Sequence, residues 1–187
     1  FAGKNGIRGL LREEIIDTSI EDLVEIKKLQ HTPGGIFGSC RHKLEDPYRN
    51  KKEYERLIEV FRAHDIGYFF YNGGGDSQDT TNKISQFTID AGFPVQCIGI
   101  PKTVDNDLPY TDNCPGFGSV AKYVATSVRE ASLDVQSMSE SSTKVFIMEV
   151  MGRHAGWMAA SSALARTSKN DPPHIILLPE IVFNQSK

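Results

Sequence analysis

The sequence predicts an α/β fold in which a parallel sheet is covered by helices on both faces. Three observations carry this. Short apolar runs recur at 66–71, 95–100, 144–150 and 175–178, continuous enough for strands buried on both faces. Stretches with helical spacing stand between them, so the order from residue 66 onward is β-α-β-α-β-α-β. Glycines or carboxylates fill each strand-to-helix turn. Polar groups therefore gather at the carboxyl ends of the strands, where open α/β sheets place their chemistry.

The elements follow in order. Gly3, Gly6 and Gly9 lie among apolar positions in residues 1–18, which reads as a short strand or loop. Ser19-Ile-Glu-Asp22 resembles a capping box with Asp in place of Glu or Gln, and predicts a short helix through about Leu29. Thr32 to Arg41 is a Gly-rich loop ending on an arginine. From Lys52, the apolar positions Tyr54, Leu57, Ile58 and Phe61 have helical spacing. Ile66–Tyr71 is an aromatic-rich strand, broken by Gly73-Gly-Gly-Asp-Ser77 and followed by a helix over 79–90. Val95–Ile100 is the next strand. After Gly116-Phe-Gly-Ser119 a long helix carries the stripe Val120, Val124, Val128, Ala131, Val135 and Met138. Lys144–Val150 is a third strand, an Ala/Ser-rich helix spans about 157–166, and Ile175–Leu178 is a fourth strand. There are no internal repeats or low-complexity linkers.

Composition bounds the function. With 187 residues, 39% hydrophobic and 24% charged, the chain is globular, one domain or one lobe of something larger. The net charge of -3 gives no reason to expect a nucleic-acid or membrane-surface partner. No apolar run is long enough to span a bilayer, and no signal-peptide pattern is present. The opening Phe1-Ala-Gly-Lys lacks an initiator Met and reads as cut from a longer chain. Cys40, Cys97 and Cys114 are scattered and odd in number, and the histidines are dispersed. A disulfide framework or zinc site is not expected, and a reducing, cytoplasmic setting is.

Four stretches could carry chemistry. Pro101-Lys-Thr-Val-Asp-Asn-Asp107 places Asp105 and Asp107 two residues apart behind Lys102 and Thr103, directly after a strand; the plain alternative is a solvated Asx turn. Gly73, Gly74 and Gly75 let the backbone approach a ligand and turn N–H groups toward an anion, though they also suit a tight turn. Asp76 beside them would repel a bare phosphate unless a metal lies between. Neither a GxxxxGK[ST] loop nor a GxGxxG fingerprint is present. In Met151-Gly-Arg-His-Ala-Gly-Trp157, Arg153 suits phosphate recognition or a surface ion pair. Trp157 and Met151 fit a core better than a ligand, and His154 reads either way. Arg41 could clamp a phosphoryl group or be solvated, and Lys144 reads as an exposed strand end. Together these put carboxylates and cations around a glycine-lined cleft, the equipment of phosphoryl transfer.

The combination GGGDS, PKTVDND, GFGS, KVFIMEVMGRHAGW and LLPE resembles the phosphofructokinase family, in the family's order from about Gly34 to Glu180. The resemblance implies a phosphofructokinase-like, three-layer fold. It implies that residues 1–187 are an internal fragment of a two-lobed chain, mostly the phosphoryl-donor lobe, lacking the N-terminal Gly-rich loop and the later sugar-binding segment and inactive alone. It implies a magnesium-dependent, cytoplasmic glycolytic enzyme acting on fructose 6-phosphate, and a homo-oligomer with a shared active site. Asp105 matches the base that takes the sugar 1-hydroxyl proton, Asp107 a residue supporting sugar and magnesium, and Thr103 a contact to the transferred phosphoryl group. Met151, Gly152 and Arg153 match sugar-phosphate positions. Lys144 matches a residue reaching a neighbouring subunit's sugar phosphate, and Arg41 one bridging donor and acceptor phosphates.

The ATP-using branch resembles GGDGS and PGTIDND, with glycines where this chain has Asp76 and Lys102. A carboxylate crowds an α-phosphate, and a lysine holds a compact donor. The pattern is therefore that of the pyrophosphate-dependent branch, with ATP use or a catalytically silent subunit as the alternatives. One departure is Gly75, where the family has a magnesium-linked Asp. Either Asp76 takes the metal, or pyrophosphate, water and the Asp105/Asp107 pair hold it. The lipid-kinase and NAD-kinase group shares a glycine-aspartate loop but lacks the TVDND and MGR pair.

Overall fold

The computed structural model of the chain describes residues 1–185. The chain forms two compact units, Phe1–Pro101 and a second from Lys102 on.

In the first unit, β1 (Ala2–Gly3) pairs antiparallel with β2 (Ile15–Ile16) around helix α1 (Ile7–Arg12). The sequence reading missed α1, because Gly6 and Gly9 inside a short segment mask its periodicity. The reading also started the next helix too early. Asp17 caps a 3-10 turn over Thr18–Ile20 by accepting from the Ser19 N–H, and Asp22 caps α2 (Leu23–Lys28) by accepting from the Val24 N–H. Two Asp caps in succession replace one Ser-started box.

Helix α3 (Lys51–Ala63) buries Tyr54, Leu57, Ile58 and Phe61 as expected, and Val60 besides. Strands β3 (Tyr68–Gly73) and β4 (Gln96–Pro101) pair in parallel with Phe70 opposite Ile98, joined through helix α4 (Gly75–Asp90). Helix α4 starts at Gly75 rather than after the glycines. The core holds Ile7, Leu10, Leu44, Tyr54, Leu57, Phe61 and Ile84, with Phe69, Tyr71 and Cys97 from the sheet against it. Burial raises the Cys97 thiol pKa to about 11. Helices α1, α3 and α4 pack on that one face. The other carries Tyr68, Phe70, Ile98 and Ile100, all exposed.

In the second unit, α5 (Phe117–Met138) buries Ala121, Val124 and Val128, and its stripe continues half-buried at Ala131, Val135 and Met138. Met148, Val150 and Ala165 pack on it. Helix α6 (Trp157–Ser161) continues as a 3-10 turn to Ala165. Asp171 then gathers the N–H and hydroxyl groups of Thr167 and Ser168, which hold its carboxyl far below the usual range.

The third and fourth strands expected at 144–150 and 175–178 do not form ladders among the described residues. Val145, Ile147, Ile175 and Leu177 are exposed there. An apolar run marks a segment able to enter a sheet, but a strand also needs a neighbour to take its N–H and C=O groups.

Candidate active site

The first unit holds the glycine turn and Arg41. Helix α4 approaches the strand ends closely. A Cβ on Gly73 would collide with Ser77 Oγ, and one on Gly99 with Gln78 Oε1. The Gln78 side chain in turn donates to the Gly73 carbonyl at 3.0 Å. Gly73 is therefore a steric requirement, since the clash reaches Ser77 Cβ, whereas at Gly99 the tip of the Gln78 side chain would have to move. Gly75 is no such requirement, since a Cβ there meets nothing within 4 Å. Gly74 caps α4, and Asp76 sits in its first turn, where the helix dipole favours a carboxylate.

Asp76 is not solitary: Lys43 donates to its Oδ1 at 2.7 Å, and the carboxylate raises the lysine pKa. No motif or spacing singles out Lys43. Both side chains are exposed, so the pair stabilises little and chiefly fixes position. The segment bearing Arg41 and Lys43 is anchored on both sides. His42 bonds Glu53 at 2.9 Å, Leu44 is fully buried, and the Tyr54 hydroxyl donates to the Glu45 carbonyl at 2.6 Å.

The second unit opens with the carboxylate loop. The Asp105 N–H donates to Thr103 Oγ1 at 3.1 Å, so the expected turn is present and Thr103 shapes it. Asp105 Oδ1 is shut off from solvent and has no hydrogen-bond partner among the described residues. Between the two aspartates, Asn106 is buried in the left-handed region at φ 57°. Its Oδ1 accepts from the buried Cys114 N–H at 2.7 Å, and its Nδ2 donates to the Asp112 carbonyl at 3.3 Å. Sequence reasoning treated Asn106 as turn filler; it is the latch of the loop. Gly116, at φ 87°, starts α5 against Val104. Asp107 is exposed and lines a pocket of about 480 Å³ with Asn106, Thr111, Asp112 and Trp157.

The expectation that Trp157 and Met151 belong to a core is overturned, since both are more than half exposed. Their turn is held by other residues. Gly152, at φ 118°, carries hydrogen where a Cβ would strike the Ala155 carbonyl, and the Gly156 N–H donates to Glu180 Oε1 at 2.7 Å. Glu180, the last residue of LLPE, thus caps α6. Lys102, Lys144 and Arg153 are exposed, and their side chains form no hydrogen bond or ion pair among the described residues. No three or more His, Cys, Asp or Glu side chains come together to hold a metal among the described residues.

A parallel strand pair, a glycine-started helix with Asp76 and a carboxylate loop directly after β4 define an α/β protein with its polar groups at strand ends. A sequence model of the phosphofructokinase family matches residues 1–187, and the chain belongs to that family. It is 62% identical over 186 residues to a pyrophosphate–fructose 6-phosphate 1-phosphotransferase of Halomonas elongata, covering 100% of this chain and 44% of that protein. The crystal structure of a pyrophosphate-dependent phosphofructokinase from Marinobacter aquaeolei matches at TM-score 0.87 and 68% identity, over 99% of this chain and 45% of that one. A phosphofructokinase structure from Saccharomyces cerevisiae, 20% identical, shares the fold at TM-score 0.65 over 85% of this chain and 22% of its own. The chain spans 44% of the length of curated relatives to which it is 60–62% identical. No described helix is long and apolar enough to cross a membrane.

Proposed function

We propose that the full-length protein carrying this chain, a cytoplasmic glycolytic enzyme, moves a phosphoryl group reversibly from inorganic pyrophosphate to the 1-hydroxyl of fructose 6-phosphate, giving fructose 1,6-bisphosphate. The observation that carries this reading is Asp105 Oδ1, a carboxylate oxygen held out of water with its acceptor capacity unused. A buried polar atom without a partner calls for an explanation, and a hydroxyl whose proton must leave supplies one.

In this reading Asp105 takes the proton as the sugar oxygen attacks phosphorus, and the pyrophosphate bridge oxygen leaves with phosphate. Lys102 and Thr103 bind the transferring group, while Gly74, Gly75 and Asp76 frame the donor. Met151, Gly152 and Arg153 bind the sugar phosphate, Lys144 reaches that of a neighbouring subunit, and Arg41 bridges donor and acceptor. Their unpaired cations suit the charge on two phosphate-bearing substrates. The chain is then mostly the donor lobe of a two-lobed protein that assembles as a homo-oligomer with a shared active site.

The metal in this reading is magnesium, which when bound would neutralise charge on the pyrophosphate oxygens. Magnesium usually takes one or two carboxylates together with substrate phosphates, and exposed Asp107 suits that mode. Asp76 suits it less, because Lys43 already occupies its Oδ1. The same pair sharpens the choice of donor. With its charge compensated by Lys43, Asp76 excludes a nucleotide's α-phosphate by occupying space more than by repulsion. The 60–62% identity to pyrophosphate-using relatives supports pyrophosphate over ATP.

The test is turnover of the full-length protein with fructose 6-phosphate and Mg²⁺, pyrophosphate against ATP. Turnover with ATP alone would overturn the donor assignment. Asp105→Ser is expected to lower kcat by orders of magnitude with little change in KM; an unchanged rate would favour a catalytically silent subunit.

A further inference from the structure

We infer that Lys43 is a positioning residue that helps set the choice of phosphoryl donor by acting through Asp76: it neutralises the carboxylate that blocks a nucleotide, so that the same block admits a compact inorganic anion. The inference rests on the donor reading above, in which Asp76 frames the donor, and adds to it a residue outside the motifs.

The observation is a bond between two parts of the chain that meet only in the fold. Lys43 Nζ donates to Asp76 Oδ1 at 2.7 Å, across 33 residues. Each end is placed independently of the pair. On the lysine side, Leu44 is fully buried and His42 bonds Glu53 on α3. On the aspartate side, the first turn of α4 is pressed against the end of β3, where a Cβ on Gly73 would meet Ser77 Cβ at 2.4 Å. Neither backbone needs the ion pair to hold its place. The two side chains are 60% and 72% exposed, so the pair adds little to stability. What it does change is the charge at residue 76.

A lone carboxylate in the donor frame has two effects. Its bulk fills space that an α-phosphate would need, and its charge repels every phosphate, the right donor included. Discrimination needs the first and is harmed by the second, because specificity is a difference between two affinities. Lys43 separates them. The hydrogen bond to Asp76 raises the lysine pKa, so the ammonium keeps its charge at neutral pH. Asp79, one turn further along α4, does not compete for it, since Lys83 donates to Asp79 Oδ2 at 2.6 Å. The Lys43–Asp76 pair carries no net charge and keeps the carboxylate's volume in place.

Steady-state kinetics of the full-length protein with pyrophosphate, fructose 6-phosphate and Mg²⁺ test this, using K43M, K43R, D76N and K43M/D76N. K43M leaves Asp76 uncompensated and is expected to raise the pyrophosphate KM about tenfold, with kcat and the fructose 6-phosphate KM within about twofold of wild type. Its melting temperature should be unchanged. The gap in KM should narrow as salt rises, because salt screens the exposed Asp76 charge. K43R should restore the pair and the wild-type KM. D76N has no charge to neutralise, so adding K43M to it should change the pyrophosphate KM by less than about twofold. An equal effect of K43M in the wild-type and D76N backgrounds means that Lys43 meets the donor directly and overturns the inference, as does a K43M KM equal to wild type. Calorimetric binding of pyrophosphate with Mg²⁺ separates this from the donor reading. A protein that binds pyrophosphate more tightly than K43M does, yet transfers no phosphoryl group, loses the reaction and keeps the role of Lys43. A protein active with pyrophosphate and insensitive to K43M keeps the reaction and loses that role. A protein that uses ATP and binds no pyrophosphate loses both.

Discussion

Asn106→Ala tests whether the carboxylate loop is held as described. The substitution leaves the Cys114 N–H without an acceptor, and Cys114 is fully buried. An unsatisfied buried donor costs about 1–3 kcal/mol. The 3.3 Å bond to the Asp112 carbonyl is long and adds roughly 0.5 kcal/mol at most. Alanine at φ 57° adds roughly 1 kcal/mol more than asparagine, whose short polar side chain tolerates the left-handed region. The total is about 2–4.5 kcal/mol, or roughly 30- to 1,600-fold in the local opening equilibrium. Asn106→Gly keeps the backbone freedom and loses the bonds, so it should open about 1 kcal/mol less than alanine. Asn106→Asp keeps both acceptor and backbone tolerance and should cost least. Hydrogen exchange at the Cys114 amide of the full-length protein reads this directly, with the order Ala, Gly, Asp, wild type from fastest to slowest. Because a 1 Å displacement of a reacting group can cost about 100-fold, kcat should follow the same order. Exchange at Cys114 that is equal in the alanine variant and wild type would refute the latch.

Other outcomes follow from the same structure. Phe61→Ala removes a fully buried ring from the first core and should destabilise the protein by about 3–5 kcal/mol, read from denaturant unfolding. Gly75→Asp should leave the melting temperature nearly unchanged, whereas Gly73→Ala should lower it, because only the second places a Cβ against Ser77. Replacing Asp76 and Lys102 together by glycine should raise ATP turnover relative to pyrophosphate turnover in the full-length protein. Asp171 binds its proton less readily folded than unfolded, because Thr167 and Ser168 hydrogen-bond its carboxylate. Its contribution is therefore present above the ordinary aspartate pKa of 3.8 and lost as pH falls below it. Asp171→Asn should lower stability at neutral pH and flatten the acid limb of melting temperature against pH.

The sequence made the central strands and the helices after them legible because period and punctuation agreed. Tyr54, Leu57, Ile58 and Phe61 predict α3, and Val124 and Val128 lie on the stripe that α5 buries. Helix α1 was hidden because its first turn is set by Gly6 at positive φ, a backbone choice without a periodic signature. The runs at 144–150 and 175–178 were overread, because hydrophobicity reports the wish for burial and not the partner strand. At the site, the motifs led to Asp76, Asp105 and Asp107, but not to Lys43, Asn106 and Glu180, which orient their surroundings through hydrogen bonds that no motif encodes. Spacing along the chain carries no trace of a partner 33 or 24 residues away. Trp157 was misjudged for a related reason: size and apolarity suit a core and a pocket wall equally well.

The unsatisfied oxygen of Asp105 has a thermodynamic side. Stripping a carboxylate lone pair of solvent costs about 1–3 kcal/mol, a cost taken from the stability of the resting loop. The solvent reorganisation that usually precedes proton abstraction is then complete once the loop has folded. If Asp105 is the base proposed above, a hydroxyl reaching Oδ1 finds an acceptor with no hydrogen bond to break, but the loop must open to admit it, because the oxygen is closed even to water. In that reading bound substrate then holds the loop shut, and the contact that prepares the reaction also stabilises the residues around it.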